Sequence, residues 1–235
     1  MSLPELPGLV SADQLQLTAS TIAEWQLPNG MIPWFPGGHS DPWNHIEAAM
    51  ALAVTGNLDQ AEAAYQWLID TQHQEGPGKG GWHQYYLTDG IEDPKFDANV
   101  IAYIATGVWH HWLMTGDRGF LETLWPTVEA AITFVLQLQT PIGGIKWARQ
   151  ADGTAFDYAL LTGSSSICHS LRCAVAVGEE LGHERPGWEL SLANLAHAVR
   201  TQPVGAFAPK ERWAMDWYYP VLSGAFDHAD GRAHL

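Results

Sequence analysis

Cysteine is nearly absent: the 235 residues hold only Cys168 and Cys173. They lie five apart on an expected helix, so they point to different faces and are badly placed to pair. A disulfide scaffold is excluded, and a reducing, cytoplasmic compartment is expected. Basic residues are scarce too, 11 Lys plus Arg against 26 Asp plus Glu, a formal charge of −15. No basic patch stands out, so neither nucleic acid nor an anionic membrane surface is an expected partner. No 18-residue apolar stretch occurs, which argues against a membrane-spanning helix. Met1-Ser2-Leu3-Pro4-Glu5 lacks a basic n-region, and no signal peptide is expected. Sustained period-2 alternation is also missing, which excludes an extensive sheet. His-Glu-x-x-His, Cys/His clusters and Gly-x-Ser-x-Gly are all absent, so no metal, no cofactor and no serine nucleophile are expected.

What is present is helix, glycine and tryptophan. The 12 Trp residues are the compositional outlier. They supply stacking area, for a core or for a flat ligand. Hydrophobic content of 46% suffices for a sizeable core, and one domain over 1–235 is the default, with an incomplete C-terminal edge.

Along the chain, residues 1–10 read as an arm. A helix follows from Ser11 to Gln26, with Ser11 as its N-cap. Residues 27–40 are a Pro- and Gly-rich loop. Asp41 caps the next helix with Pro42 at its first position. Ile46, Met50, Ala53 and Val54 form its apolar stripe, and Gly56 ends it. Asn57 and Gln60 look like a capping box for an amphipathic outer helix. Residues 73–95 form a long polar loop of the functional or mobile kind. Phe96 to Met114 is apolar nearly all round and reads as a buried helix. Phe120 to Gln139 is outer-like, with Pro126 expected near a turn or helix start. Residues 140–162 are loop. Ser164 to Leu181 is another inner helix, with Ser164, Ser165 and Ser166 expected to cap it, and Trp188 to Gln202 is its outer mate. Asp216-Trp217-Tyr218-Tyr219-Pro220 opens a further inner segment.

A Gln followed by Gly and an aromatic recurs at Gln26…Gly30…Trp34, Gln72…Gly80…Trp82, Gln139…Gly143…Trp147 and Gln202…Gly205…Phe207. A Thr-Gly-(Asn/Asp) stop occurs at Thr55-Gly56-Asn57 and Thr115-Gly116-Asp117. Recurrence in phase marks stacked supersecondary units. The expected fold is all-α: an (α/α) toroid or partial toroid of about four helical hairpins, in inner and outer layers. Six such hairpins need roughly 300 residues or more. An exposed apolar edge is therefore expected, or an interface or second copy (a homo-oligomer) covering it.

The Gln…Gly-x-aromatic repeats resemble those of squalene/terpene cyclases and protein prenyltransferase β subunits. The hairpins also resemble glucoamylase-type six-hairpin glycosidases. Tyr103…Thr115-Gly116-Asp117…Leu124-Trp125-Pro126…Ala130…Phe134 and Gly163-Ser164-Ser165…Leu181-Gly182 are like segments of those families. The resemblance implies the toroid and, from the glycosidase side, carbohydrate metabolism. It does not carry the chemistry across. The acidic pair before the glycosidase Gly-Ser-Ser reads Ala159 and Leu160 here, and its early Arg-Asp is matched at best by Trp43-Asn44. Neither the cyclase acid motif nor the metal motif Asp-Asp-x-x-Asp is present.

If the inner helices all point one way, their N-termini meet at one mouth. Glu47, Asp97 and Asp216 would then be the candidate catalytic carboxylates. Trp43, Asn44, His45, Asn99, His169, Arg172, Trp217 and Tyr218 would be candidate substrate-binding groups. Asp41 and Asp97 read equally well as ordinary caps. Glu47 lies one turn inside a mostly buried helix, where a carboxylate is costly unless paired. Asp216 sits amid Trp213, Trp217, Tyr218 and Tyr219. Apolar surroundings could raise either acid into general-acid range. His45 and His169 could move protons, as in toroidal sugar epimerases, or be hydrogen-bonded core or mouth histidines. Aromatic faces mixed with Asp, Asn, His and Arg suit a sugar. The expected function is a carbohydrate-active protein acting on or binding a glycan. An isoprenoid cyclase or prenyltransferase-like activity is the alternative, and a non-catalytic binding or assembly module is the third.

Overall fold

The computed structural model describes residues 3, 7–209, 215–226 and 228–234. Trp213 lies outside the described residues.

The chain opens with α1 (Ala12–Trp25), started by a complete Ser11/Gln14 capping box. Then come α2 (Pro42–Val54), α3 (Leu58–Thr71) and a small hairpin, β1 (Tyr85–Leu87) with β2 (Gly90–Asp93). A two-residue strand β3 (Phe96–Asp97) leads into α4 (Ala98–Ala102) and α5 (Ile104–Thr115), separated by Tyr103 alone. The rest is α6 (Arg118–Leu136), β4 (Ala148–Arg149), α7 (Leu161–Leu181), α8 (Pro186–Thr201), α9 (Met215–Leu222) and α10 (His228–His234). β3 pairs antiparallel with β4, joining two mouth loops. The fold is all-α, an arc of (α/α) toroid hairpins.

The inner helices run in the same direction, as contacts that climb in step on both partners show. On α4–α5 and α7, a Cβ built on Gly163 would lie 3.8 Å from the Asn99 Cβ, and further along Thr106 Oγ1 and Ser170 Oγ are 3.1 Å apart. On α7 and α9, the Thr162 N–H donates to Asp216 Oδ1 at 3.0 Å, and further along Arg172 donates to the Ser223 carbonyl at 2.8 Å. On α2 and α5, Trp43 meets Tyr103 edge-on and Ile46 packs on Gly107. So α2, α4–α5, α7 and α9 all present their N-terminal ends to one side.

The outer layer is held by a repeated strap. The Gln26 side-chain amide donates to the carbonyls of Gly30 (3.0 Å) and Gln60 (2.9 Å). Gln72 does the same to Gly80 and Thr127, both at 2.9 Å, and Gln139 to Gly143 (3.2 Å) and Ser191 (2.9 Å). Each Gln thus joins the end of one outer helix to its own loop and to the next outer helix. Each strap Gly has positive φ, between 88° and 98°, which disfavours any side chain. A Cβ on Gly30, Gly80 or Gly143 would also lie 2.1, 2.3 or 2.5 Å from the carbonyl oxygen of Ala63, Ala130 or Asn194. The Gln…Gly signature in the sequence is this strap. The core fills the space between the two layers, with Trp82, Tyr65, Phe134, Ile46, Leu52 and Ile101 fully enclosed.

Several local expectations change. Asn57 makes no cap bond to α3; its side chain donates to Thr55 Oγ1 instead. The 73–95 loop contains the β1–β2 hairpin. The buried helix starts at Ala98, not Phe96, and breaks at Tyr103. Pro126 lies inside α6. Its missing N–H costs a helix bond. Around it Leu124, Trp125, Thr127 and Val128 are all buried, and that packing holds the helix together. Ser164, Ser165 and Ser166 are not caps, because α7 begins at Leu161. They are buried: Ser165 Oγ donates to the Leu161 carbonyl and Ser164 Oγ accepts from the Ile145 N–H.

Candidate functional site

The hollow is built from the first two turns of the inner helices. Asp41 caps α2, accepting from the Trp43 and Asn44 N–H groups at 2.9 and 3.0 Å. Its second oxygen takes the Asn44 side-chain amide (2.8 Å) and the Trp34 indole N–H (2.7 Å). With every acceptor site in use, Asp41 is a structural cap. It fixes Trp43 at the start of the hollow.

One turn further along α2, Glu47 is exposed, not buried as its helix suggested. It faces the open space inside the arc. The Tyr103 hydroxyl, at the break between α4 and α5, donates to Glu47 Oε1. Burial and the Glu47 charge hold the Tyr103 hydroxyl well above the ordinary tyrosine range, so it stays protonated as a donor. Trp43 lies edge-on to Tyr103 at 5.3 Å, and its buried indole N–H has no partner among the described residues. Glu47 also acts electrostatically on Tyr219 of α9 and His110 of α5. Burial first, and then Tyr218 and Glu47, raise the Tyr219 pKa. Burial lowers that of His110 despite Glu47. Tyr103 thus binds this carboxylate directly, and His110 of α5 and Tyr219 of α9 feel its charge.

Asp97 is a second, different acid. It is buried and caps α4, with Oδ1 accepting from the Asn99 N–H at 2.9 Å and the Val100 N–H at 3.3 Å. Burial pushes its pKa up to about 6, against the helix-start N–H groups, the Trp147 indole and the Lys95 charge. Lys95 lies 5.4 Å over Trp147 and 6.0 Å over Tyr85, and is paired with Asp93. Trp147 stacks on Tyr158 with ring centres 5.8 Å apart. The side-chain Oδ1 of Asn99 is buried without a partner among the described residues.

Asp216, the third acid, accepts from both the Thr162 N–H and the Thr162 hydroxyl, which ties the start of α9 to the start of α7. Beside it Trp217 is exposed and edge-on to Tyr218.

Two expected site residues fall elsewhere. His45 is fully buried: Nδ1 accepts from the Ile32 N–H (3.1 Å) and Nε2 donates to the Ala64 carbonyl (2.8 Å). With both ring nitrogens used by backbone, it is a neutral structural tie. Burial pushes its pKa down to about 4. Arg172 is level with the end of α9, where it holds the Ser223 carbonyl, so it does not belong to the mouth. His169 is exposed on α7 and lies 3.7 Å from Cys173 Sγ. Conversely, Tyr103, His110, Tyr219, Lys95 and Trp147 escape a sequence reading focused on helix starts. Tyr103 and Tyr219 could have been found from helical spacing, since Tyr103 lies less than two turns past the capping Asp97 and Tyr219 just under one turn past Asp216 in the first turn of α9. Among the described residues no cluster of three or more His, Cys, Asp or Glu side chains is placed to hold a metal. No helix there is long and apolar enough to cross a membrane.

An arc of parallel inner helices whose starts carry carboxylates, amides and aromatic rings defines an (α/α) toroid with a polar, aromatic hollow. No family model matches the chain. It is 47% identical over 234 residues to the MMP endo-(1,4)-3-O-methyl-alpha-D-mannosidase of Mycolicibacterium hassiacum. That match takes in 100% of this chain and 64% of the mannosidase, so the chain spans just under two thirds of that relative's length. Among solved structures, a rhamnosidase from Klebsiella oxytoca with rhamnose bound superposes with a TM-score of 0.65 at 13% identity, over 97% of this chain and 48% of that one. A family 76 glycoside hydrolase (mannosidase) from Bacteroides thetaiotaomicron gives 0.54 at 13%, over 73% and 48%. A D-mannose isomerase gives 0.57 at 13%, over 84% and 53%. At such identities these structures establish the fold and nothing finer.

Proposed function

We propose that this chain is a carbohydrate-active toroid protein that binds and cleaves, internally, a 1,4-linked α-mannan carrying 3-O-methyl groups. The observation that carries this reading is the 47% identity to the methylmannose endo-mannosidase along the whole chain. The hollow suits such a ligand. Methyl ethers enlarge the apolar face of a sugar, and Trp43, Trp217 and Tyr218 offer rings to it, while Asn99 offers its amide to the hydroxyls; Asn44, bound to Asp41, instead lines a groove against α1 with Trp25 and Trp34. A dry, carboxylate-free cavity for an isoprenoid cation is disfavoured by Glu47 at its centre.

In this reading Glu47, Asp97 and Asp216 are the acid–base candidates. Hydrolysis needs one protonated carboxyl at the leaving oxygen and one ionised carboxylate opposite, ~6.5–9.5 Å away for inversion. Asp97, with its pKa near 6, is suited to the acid. Glu47, held by Tyr103, is suited to a base that activates water or to gripping the sugar. A reducing cytoplasm fits the two free cysteines. The test is release of oligosaccharides from a 3-O-methylmannose polysaccharide, with unmethylated mannan as comparison. Cleavage of the methylated polymer that falls sharply in Glu47→Gln supports the reading. Tight binding without cleavage would instead favour a binding module, and indifference to both polymers would end the sugar reading.

A further inference from the structure

A second concavity lies on the next face of α2, beside the hollow. It is a groove of about 330 Å³ between α1 and α2, walled by Trp25 of α1 and by Trp34 of the loop before α2, with Ile32, Pro33, Asn44 and Ala48 completing it. Consecutive residues of α2 divide the two spaces. Trp43 meets Tyr103 in the hollow and Asn44 lines the groove, a rotation of about 100° around the helix. Glu47 and Ala48 repeat the division one turn on. The loop wall is held at each polar group. The Ile32 N–H donates to His45 Nδ1 (3.1 Å), and the Ile32 carbonyl accepts from the Ser40 hydroxyl (2.8 Å). The Trp34 N–H donates to the His39 carbonyl (2.8 Å), and its indole N–H to Asp41 Oδ2 (2.7 Å). His39 also meets the Trp34 ring edge-on at 4.7 Å. Yet Trp34 is 46% exposed. Its indole N–H is already used and its orientation is fixed, so what it presents outward is an apolar ring ordered in advance of any ligand.

We propose that the α1–α2 groove is an outlying sugar subsite, taking a 3-O-methylated hexose unit of a polymer whose neighbouring units lie at Glu47. The subsite rests on the reading of the hollow as sugar-binding, and it names Trp25 and Trp34 as residues that recognise methylation. The lining fits this occupant. Two indole rings, Ile32, Pro33 and Ala48 make it mostly apolar, and no charged side chain is among its lining residues. A methyl ether exchanges a hydroxyl donor for apolar surface, so such a wall favours it over the bare hydroxyl, which would lose its water without a partner. One polar group remains for orientation. Asn44 gives its side-chain N–H to Asp41 (2.8 Å), while its Oδ1 makes no hydrogen bond among the described residues and can accept from a sugar hydroxyl. Asp41 ties the two spaces together, since it holds the Trp43 and Asn44 N–H groups, the Asn44 amide and the Trp34 indole at once. A polymer crossing the first turn of α2 therefore passes from Trp43 to Asn44 without leaving the protein. Cleavage inside a chain needs units held beyond the scissile bond, and the groove supplies one such place.

The test is calorimetric titration with 1,4-linked 3-O-methylmannose oligosaccharides of increasing length, from the disaccharide upward, in the full chain and in Glu47→Gln to keep the ligand whole. Affinity should rise with length, and Trp25→Ala and Trp34→Ala should each take roughly tenfold from the long ligands and little from the disaccharide. Trp34→Phe keeps a ring and should keep most of the gain. Trp25→Ala stands as the independent arm, because Trp34→Ala also removes a donor from Asp41. Unmethylated oligosaccharides of equal length should lose less on either substitution. A rise with length that both alanine variants preserve would overturn the subsite and leave the sugar reading standing. An equal loss at every length would also overturn it, since the rings would then serve the hollow or the fold. No binding of any oligosaccharide would overturn the sugar reading and the subsite together. A dimer of the free chain, seen by light scattering and dissolved by Trp34→Ala, would overturn the subsite in favour of a second copy in the groove.

Discussion

The Tyr103 hydroxyl donates to the Glu47 carboxylate across the gap between two inner helices. Tyr103 is the single residue separating α4 from α5, so the break in the helix and the grip on the acid coincide. If the chain cleaves a methylated mannan as proposed, Glu47→Gln should lower that cleavage by roughly 10²–10⁴-fold, the usual contribution of an acid or base, while leaving the exposed site's stability almost unchanged. Tyr103→Phe keeps the ring and removes one hydrogen bond, so kcat should fall roughly tenfold with a smaller change in KM. Steady-state kinetics on the methylated polymer check both. Equal turnover in Glu47→Gln would remove Glu47 from the machinery.

Asp97 is a buried acid whose pKa is raised in the folded chain to about 6. The folded state therefore holds its proton more tightly than the unfolded chain. That contribution is present below pH ~4 and is lost as pH rises through about 6, on the order of 3 kcal/mol for two pK units. Asn is as good an N-cap as Asp. Asp97→Asn should therefore melt higher than the parent at pH 7.5, with the difference closing below pH ~4. It should also lose cleavage if Asp97 is the acid. Unfolding curves across pH 4–8 decide the first point.

His45 carries the opposite slope. Its folded pKa is depressed to about 4, so stability is fully present above the ordinary histidine value of 6.5. It is lost as pH falls from 6.5 to about 4, again on the order of 3 kcal/mol. His45→Ala would leave the Ile32 N–H and the Ala64 carbonyl buried without partners, costing about 2–5 kcal/mol, and should flatten that acid limb. An unchanged acid limb in a folded His45 variant would contradict the assignment.

The straps make a graded prediction about glycine. Gly80→Ala meets both the positive φ and the Ala130 carbonyl, so it should cost more than about 2 kcal/mol, whereas Gly205→Ala meets the φ alone and should cost about 1. Gln72→Ala removes the donor to two buried carbonyls and should cost about 2 kcal/mol. Urea unfolding of the three variants gives the order directly.

The architecture was legible because its signals are local and repeated. Ser11, Asp41 with Pro42, and Gly116 mark helix ends through their own side chains or φ, and the Gln…Gly pairs recur in phase. Pro126 and Ser164–Ser166 were misread because burial against other helices outweighs their turn and cap chemistry. The site was less legible, for the same kind of reason. His45 is bound by a carbonyl 19 residues away and Arg172 by one 51 residues away, and no spacing rule reports such partners. Glu47 reads as buried because its helix is apolar, yet it is exposed and bound by the Tyr103 hydroxyl of the neighbouring inner segment.

The most direct measurement of convergence is hydrogen–deuterium exchange with and without a saturating 1,4-linked 3-O-methylmannose oligosaccharide. Protection should arise together in residues 43–47, 97–103, 160–163 and 216–219, the starts of all four inner helices. Protection confined to one of these segments, or to outer loops such as 87–92, would contradict a shared sugar-binding hollow.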